Sequence, residues 1–138
     1  MSRILIAISS PYAAQRVVDA VGDLARRLNA EVLVVHVSRP SGGQMREQEQ
    51  AEGEQAIRFM REELHSKGLQ VQDLLMFSDD IARAILNTAL EREATMIVLG
   101  LTGKNVFARL LAGNVPVELL KNTRIPVLIL PPDWSKSI

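Results

Sequence analysis

The chain contains no cysteine, which excludes disulfides, thiolate nucleophiles and cysteine-ligated zinc and fits a reducing compartment. It has no excess of either charge. Lys plus Arg and Asp plus Glu both number 16, so no global field draws it to nucleic acid or to an anionic membrane. No apolar run approaches the roughly 20 residues of a membrane-spanning helix. The opening stretch Met1–Ile8 is too short for a signal peptide and reads directly as a strand. Internal repeats and an interdomain linker are also missing, and 138 residues suit a single domain that buries roughly two-thirds of its unfolded surface. The expectation is a soluble, cytoplasmic protein with neither a nucleic-acid nor a membrane partner.

What is present is an ordinary globular balance, 47% hydrophobic and 23% charged residues, in which apolar runs alternate with amphipathic stretches. Ile4–Ile8 is a near-continuous apolar run, as expected of a strand covered on both faces. Ala14, Val17, Val18, Val21, Leu24, Ala25 and Leu28 recur at helical spacing, and Pro11 suits the first turn of that helix. A second strand, Val32–Val37, follows the Asn29-Ala30 turn. Residues 39–55 are polar and read as a loop grading into a second helix, whose stripe is Ile57, Met60 and Leu64 and whose end is marked by Gly68. Val71–Phe77 is a third strand, weakened by Gln72 and Asp73. Ser78 or Asp79 can cap a third helix with the stripe Ala82, Ile85, Leu86 and Ala89. Met96–Leu99 is a fourth strand, Val115–Asn122 a last helix, and Val127–Leu130 a fifth strand bracketed by prolines and hence near an edge. Residues 131–138 form a polar tail. This alternation predicts one doubly wound α/β domain, a parallel sheet with helices on both faces.

In such sheets ligands bind beyond the carboxyl ends of the strands, where the strand order reverses. With strand 1 central, that crevice receives Ser9-Ser10 and the chain leaving strand 4 after Leu99. There the sequence runs Gly100-Leu101-Thr102-Gly103-Lys104 and, with nine residues between it and Gly103, Gly113-Asn114-Val115-Pro116. Glycines let a backbone take positive φ and approach a ligand closely. N–H groups exposed in such turns form an anion-binding concavity. Asn114 as a helix cap would add free N–H groups and the positive end of the dipole. Between Gly100 and Val117 the only charges are Lys104 and Arg109, a local field suited to a phosphate. Glycines between a strand and a helix also serve a plain turn, and the pattern is neither a Walker loop nor Gly-x-Gly-x-x-Gly.

The stretch Gly100-x-x-Gly103, nine residues, Gly113-Asn114-Val115 resembles the G-x-x-G-(nine)-G-[S/T] signature of the universal stress protein family. Pro126-Val-Leu-Ile-Leu-Pro131 is similar to the family's closing strand. The likeness extends to the opening strand, to Val35-His36-Val37 and to Ala84-Ile85-Leu86, so it spans nearly the whole chain. The resemblance implies five parallel strands in the order 3-2-1-4-5 and a homodimer. It also implies a regulatory module that binds ATP, with or without Mg²⁺, rather than a turnover enzyme. It assigns the nucleoside to Ala7, Ser9 and Val37, and the ribose and phosphates to the loop: Leu99, Gly100, Thr102, Gly103, Lys104, Gly113, Asn114 and Val115. One branch of the family does not bind ATP, and this chain departs from the binding pattern twice. Ser9 stands for an acidic residue, and Asn114 for a hydroxyl residue, with Pro116 removing one N–H from the helix mouth. The alternatives are therefore an interaction module with an empty site, or a slow ATPase.

Other features point to structure. His36 and His65 lack a second ligand at metal spacing, so a structural or solvated role is expected. Asp79-Asp80 fits helix capping, and Ser9-Ser10 lacks a nucleophile elbow or an evident base. Glu47, Glu49, Glu52 and Glu54 read as a solvated segment that follows strand 2 and could hang over the crevice as a lid. Trp134, the only tryptophan, could anchor a partner or pack on its own domain.

Overall fold

The computed structural model describes residues 1–40, 43–100, 115–131, 134 and 136–138. Five parallel strands, β1 (Arg3–Ala7), β2 (Glu31–Ser38), β3 (Val71–Phe77), β4 (Met96–Gly100) and β5 (Val127–Leu130), form one sheet in the order β3-β2-β1-β4-β5. Among the described residues the helices are α1 (Pro11–Leu28), α2 (Gly43–Ser66), α3 (Ile81–Glu91) and α4 (Val115–Asn122). The α/β class and the strand order are as expected.

The period of two along each strand divides the core into two layers. Ile4, Ile6, Val32, Val34 and Val98 face α1 and α2. Leu5, Leu33, Val35, Ile97 and Leu99 face α3 and α4. Each such side chain taken from water contributes about 1.5–3 kcal/mol. Because the central strands are sealed on both faces, they read as continuous apolar runs rather than as alternating ones.

Helix ends account for several small differences from the sequence-based boundaries. Ser10 is the N-cap of α1, its side chain accepting from the N–H of Ala13, with Pro11 opening the first turn. Asp80, rather than Ser78 or Asp79, caps α3 by accepting from the N–H of Arg83. Thr88 joins Ala82, Ile85 and Ala89 on the buried stripe of α3, and Leu86 is only partly buried. Gly68, at φ +82°, lets the chain turn off α2. The larger correction concerns residues 39–55. The expected loop is helical from Gly43 onward, so α2 runs for 24 residues. It docks through Gly53, Ala56, Ile57, Met60 and Leu64, while Glu47 and Glu54 face solvent.

Candidate functional site

On one side of the sheet the chain passes from β1 to β2 to β3; on the other, from β4 to β5. The strand order reverses between β1 and β4, and it is beyond the carboxyl ends of such a pair that open α/β sheets take ligands. Ala7 pairs in register with Leu99 there, and Gly100 with Leu130 of β5. The rim on the β1 side is short. The N–H of Ile8 donates to the carbonyl of Val35 at 2.9 Å. Ser9 follows and is exposed, and Ser10 is already committed to capping α1. Of the two serines, Ser9 is the exposed one and Ser10 is half-buried. Just beyond the cap, Tyr12 is 58% exposed and carries the Arg16 guanidinium over its ring, 5.5 Å from the centroid; the sequence alone gave no signal for that pair.

Several expected site residues have buried side chains. Val37 and Leu99 are core residues of the layer beneath α3 and α4, against which Ala7 and Val115 also pack. Any contact of Val37 or Leu99 with a ligand would therefore be made by backbone. Gly100 meets a steric limit, because an added Cβ would lie 2.7 Å from Cγ1 of Val17. The structure thus brings Ala7, Ser9, Val37, Leu99 and Gly100 to the strand ends, with Val115 opening α4. Thr102, Gly103, Lys104, Gly113 and Asn114 lie outside the described residues, as does Arg109.

His36 is 2% exposed. Its ring lies 2.8 Å through Nδ1 from the Ile8 carbonyl and 2.9 Å through Nε2 from Oγ of Ser38. A carbonyl only accepts, so Nδ1 carries the proton; in the neutral ring Nε2 then accepts from the Ser38 hydroxyl. The structural role expected of His36 is thereby filled, and its partners Ser38 and Gly53 are residues that sequence spacing did not single out. His65 is exposed on α2. Among the described residues no cluster of three or more His, Asp or Glu side chains could hold a metal ion. Nor, among them, is any helix long and apolar enough to cross a membrane.

The family model described as the universal stress protein family matches residues 1–131 of this chain. The chain belongs to the universal stress protein family. A universal stress protein of Methanocaldococcus jannaschii, MJ0531, is 27% identical over 118 residues, which cover 78% of this chain and 69% of that protein. Among solved structures, the universal stress protein UspA from Lactobacillus plantarum superposes with a TM-score of 0.77 at 20% identity, over 94% of this chain and 97% of its own. The universal stress protein from Archaeoglobus fulgidus in complex with dAMP gives 0.72 at 21% identity, with 94% and 97% covered. At these identities the structural likeness speaks for the fold, which is the universal stress protein fold throughout the described residues.

Proposed function

We propose that this chain is a regulatory module that binds an adenine nucleotide, ATP by preference, in the crevice between the ends of β1 and β4. It acts as a homodimer in a stress response and is not a turnover enzyme. The observation that carries this is the placement of Gly100. The first glycine of the family's spacing ends β4 at the point where the strand order reverses, the place where open α/β sheets take ligands. The dAMP complex of the Archaeoglobus fulgidus relative supports the nucleotide class. The remaining glycines and Lys104 supply backbone N–H groups and one cation for phosphates, and Mg²⁺ would accompany ATP as its usual counterion.

One observation favours a second reading, an interaction module with an empty site. Ser9, exposed at the rim, offers a hydroxyl where the nucleotide-binding pattern has a carboxylate, and so lacks a strong acceptor for the nucleoside.

Thermal unfolding with and without nucleotide separates the two. A ligand at about 100 times its dissociation constant stabilises the folded state by about 2.7 kcal/mol. ATP should therefore raise the midpoint clearly. Gly113→Val should abolish the rise with unchanged circular dichroism, and Lys104→Ala should only reduce it. No shift with millimolar ATP, ADP or AMP would leave the interaction module as the better account.

A further inference from the structure

We propose that His36 is a positioning residue for the crevice: it fixes the peptide between Ile8 and Ser9, and thereby aims the Ser9 N–H away from β2, toward the side of β1 on which β4 lies. The affinity part of its test rests on the nucleotide reading above; the rest does not.

The chain must leave β1 and enter α1 within three residues, 8 to 10. Both flanks of that turn are tied. Ser10 caps α1, its Oγ accepting from Ala13 at 3.2 Å and its carbonyl from the N–H of Ala14 at 3.0 Å. Ile8 is held twice, by the Val35 carbonyl through its N–H and by His36 through its own carbonyl. Ser9 alone stands between these anchors and is exposed. A trans peptide is planar, so its C=O and the following N–H point in opposite directions, and the described chain contains no cis peptide. Holding the Ile8 carbonyl toward β2 therefore sets the Ser9 N–H on the opposite side. In the order β2-β1-β4, that is the side of the crevice. A backbone donor there can meet an acceptor on a nucleotide without any help from the Ser9 side chain, which has lost the family's carboxylate.

The ring is itself fixed. Ser38, wholly buried, holds Nε2, and α2 closes over the imidazole at Gly53. An added Cβ at Gly53 would stand 2.1 Å from Cδ2, 2.3 Å from Nε2 and 2.5 Å from Cγ of the ring. No side chain larger than hydrogen fits between α2 and His36. The glycine in the middle of an otherwise glutamate-rich helical segment is thus the seat of the imidazole, and it links the docking of α2 to the exit of β1.

The test compares three full-length variants with wild type. His36→Phe keeps the ring volume and drops both hydrogen bonds. His36→Asn restores a donor at the position of Nδ1. Gly53→Ala displaces the ring from α2 and serves if His36→Phe does not fold. In ligand-free protein, ¹⁵N–¹H spectra should show the Ser9 amide shifted and exchanging faster in His36→Phe and Gly53→Ala, with the cap reporters Ala13 and Ala14 little changed and Ser9 returned in His36→Asn. Titration with AMP should give a dissociation constant raised about tenfold in His36→Phe, as for one lost well-directed hydrogen bond, and within about twofold of wild type in His36→Asn. An unmoved Ser9 amide in His36→Phe, or perturbations spread evenly through β2 and α2, would overturn the inference, as would equal AMP affinity in His36→Phe and wild type. If wild type binds none of ATP, ADP and AMP, the nucleotide reading falls and the Ser9 amide still decides the role of His36.

Discussion

Gly100 and Val17 meet where β4 runs out beneath α1. With 2.7 Å between an added Cβ and Cγ1 of Val17, and Val17 itself buried, there is little slack to absorb a methyl group. Overpacking of this kind typically costs about 1–3 kcal/mol. Gly100→Ala should lower the midpoint of chemical denaturation accordingly. The double variant with Val17→Ala should be more stable than the sum of the two single losses, since the pair is in contact; strict additivity would mean that the two positions do not compete for space. From sequence, Gly100 is legible as the glycine that ends a strand, with a ligand's approach as its reason. The packing reason is invisible there, because Val17 comes near it only through the β1–α1 crossover. His36 illustrates the same limit. Its burial is foreseeable from a run of apolar neighbours, but its partners Ile8, Ser38 and Gly53 lie on three separate segments.

At the scale of elements, α2 is where sequence periodicity misled. Residues 43–55 carry no apolar stripe, so they read as loop, yet they are rich in Gln and Glu, which are good helix formers. Pairs such as Gln50 with Glu54, at 3.2 Å, add to that propensity along an exposed face. Propensity carries the first half of the helix and burial the second. β3 gives the converse case. Gln72 and Asp73 weaken its pattern, but it pairs along its full length with β2 because it is an edge strand. Asp73 is bound to Arg61 of α2 at 2.8 Å, and a charge there discourages pairing with another chain. The opposite edge differs. β5 consists of Val127, Leu128, Ile129 and Leu130 with no polar side chain, so it lacks the charge that guards the β3 edge. Two β5 strands related by a twofold axis pair antiparallel. Sedimentation should therefore give about twice the chain mass of 15.3 kDa, and Val127→Lys or Ile129→Lys should shift the equilibrium to monomer; a wild-type monomer at tens of micromolar would contradict it.

For the whole molecule, strand–helix alternation and doubly apolar central strands were sufficient to read the class and the layers from sequence. The strand order came from the family resemblance, not from the pattern of residues. Chemistry at this scale is a matter of what surrounds the crevice. A site that positions phosphates without a group to orient water should hydrolyse ATP far more slowly than the roughly 1–1000 per second of typical enzymes. Phosphate release in the presence of Mg²⁺, followed over hours, checks this, and turnover above about one per second would make the chain an enzyme. The topology also sets an order of assembly. Arg3 finds its β2 partner Glu31 across 28 residues of chain, but its neighbour beside β4, Thr95, across 92. By loop-closure entropy the second pairing costs about 1 kcal/mol more to begin, and distant pairings slow folding. The β1–β4 seam thus joins the neighbouring strands that lie farthest apart in sequence. A ligand seated at its end would clasp the early and late halves of the chain together.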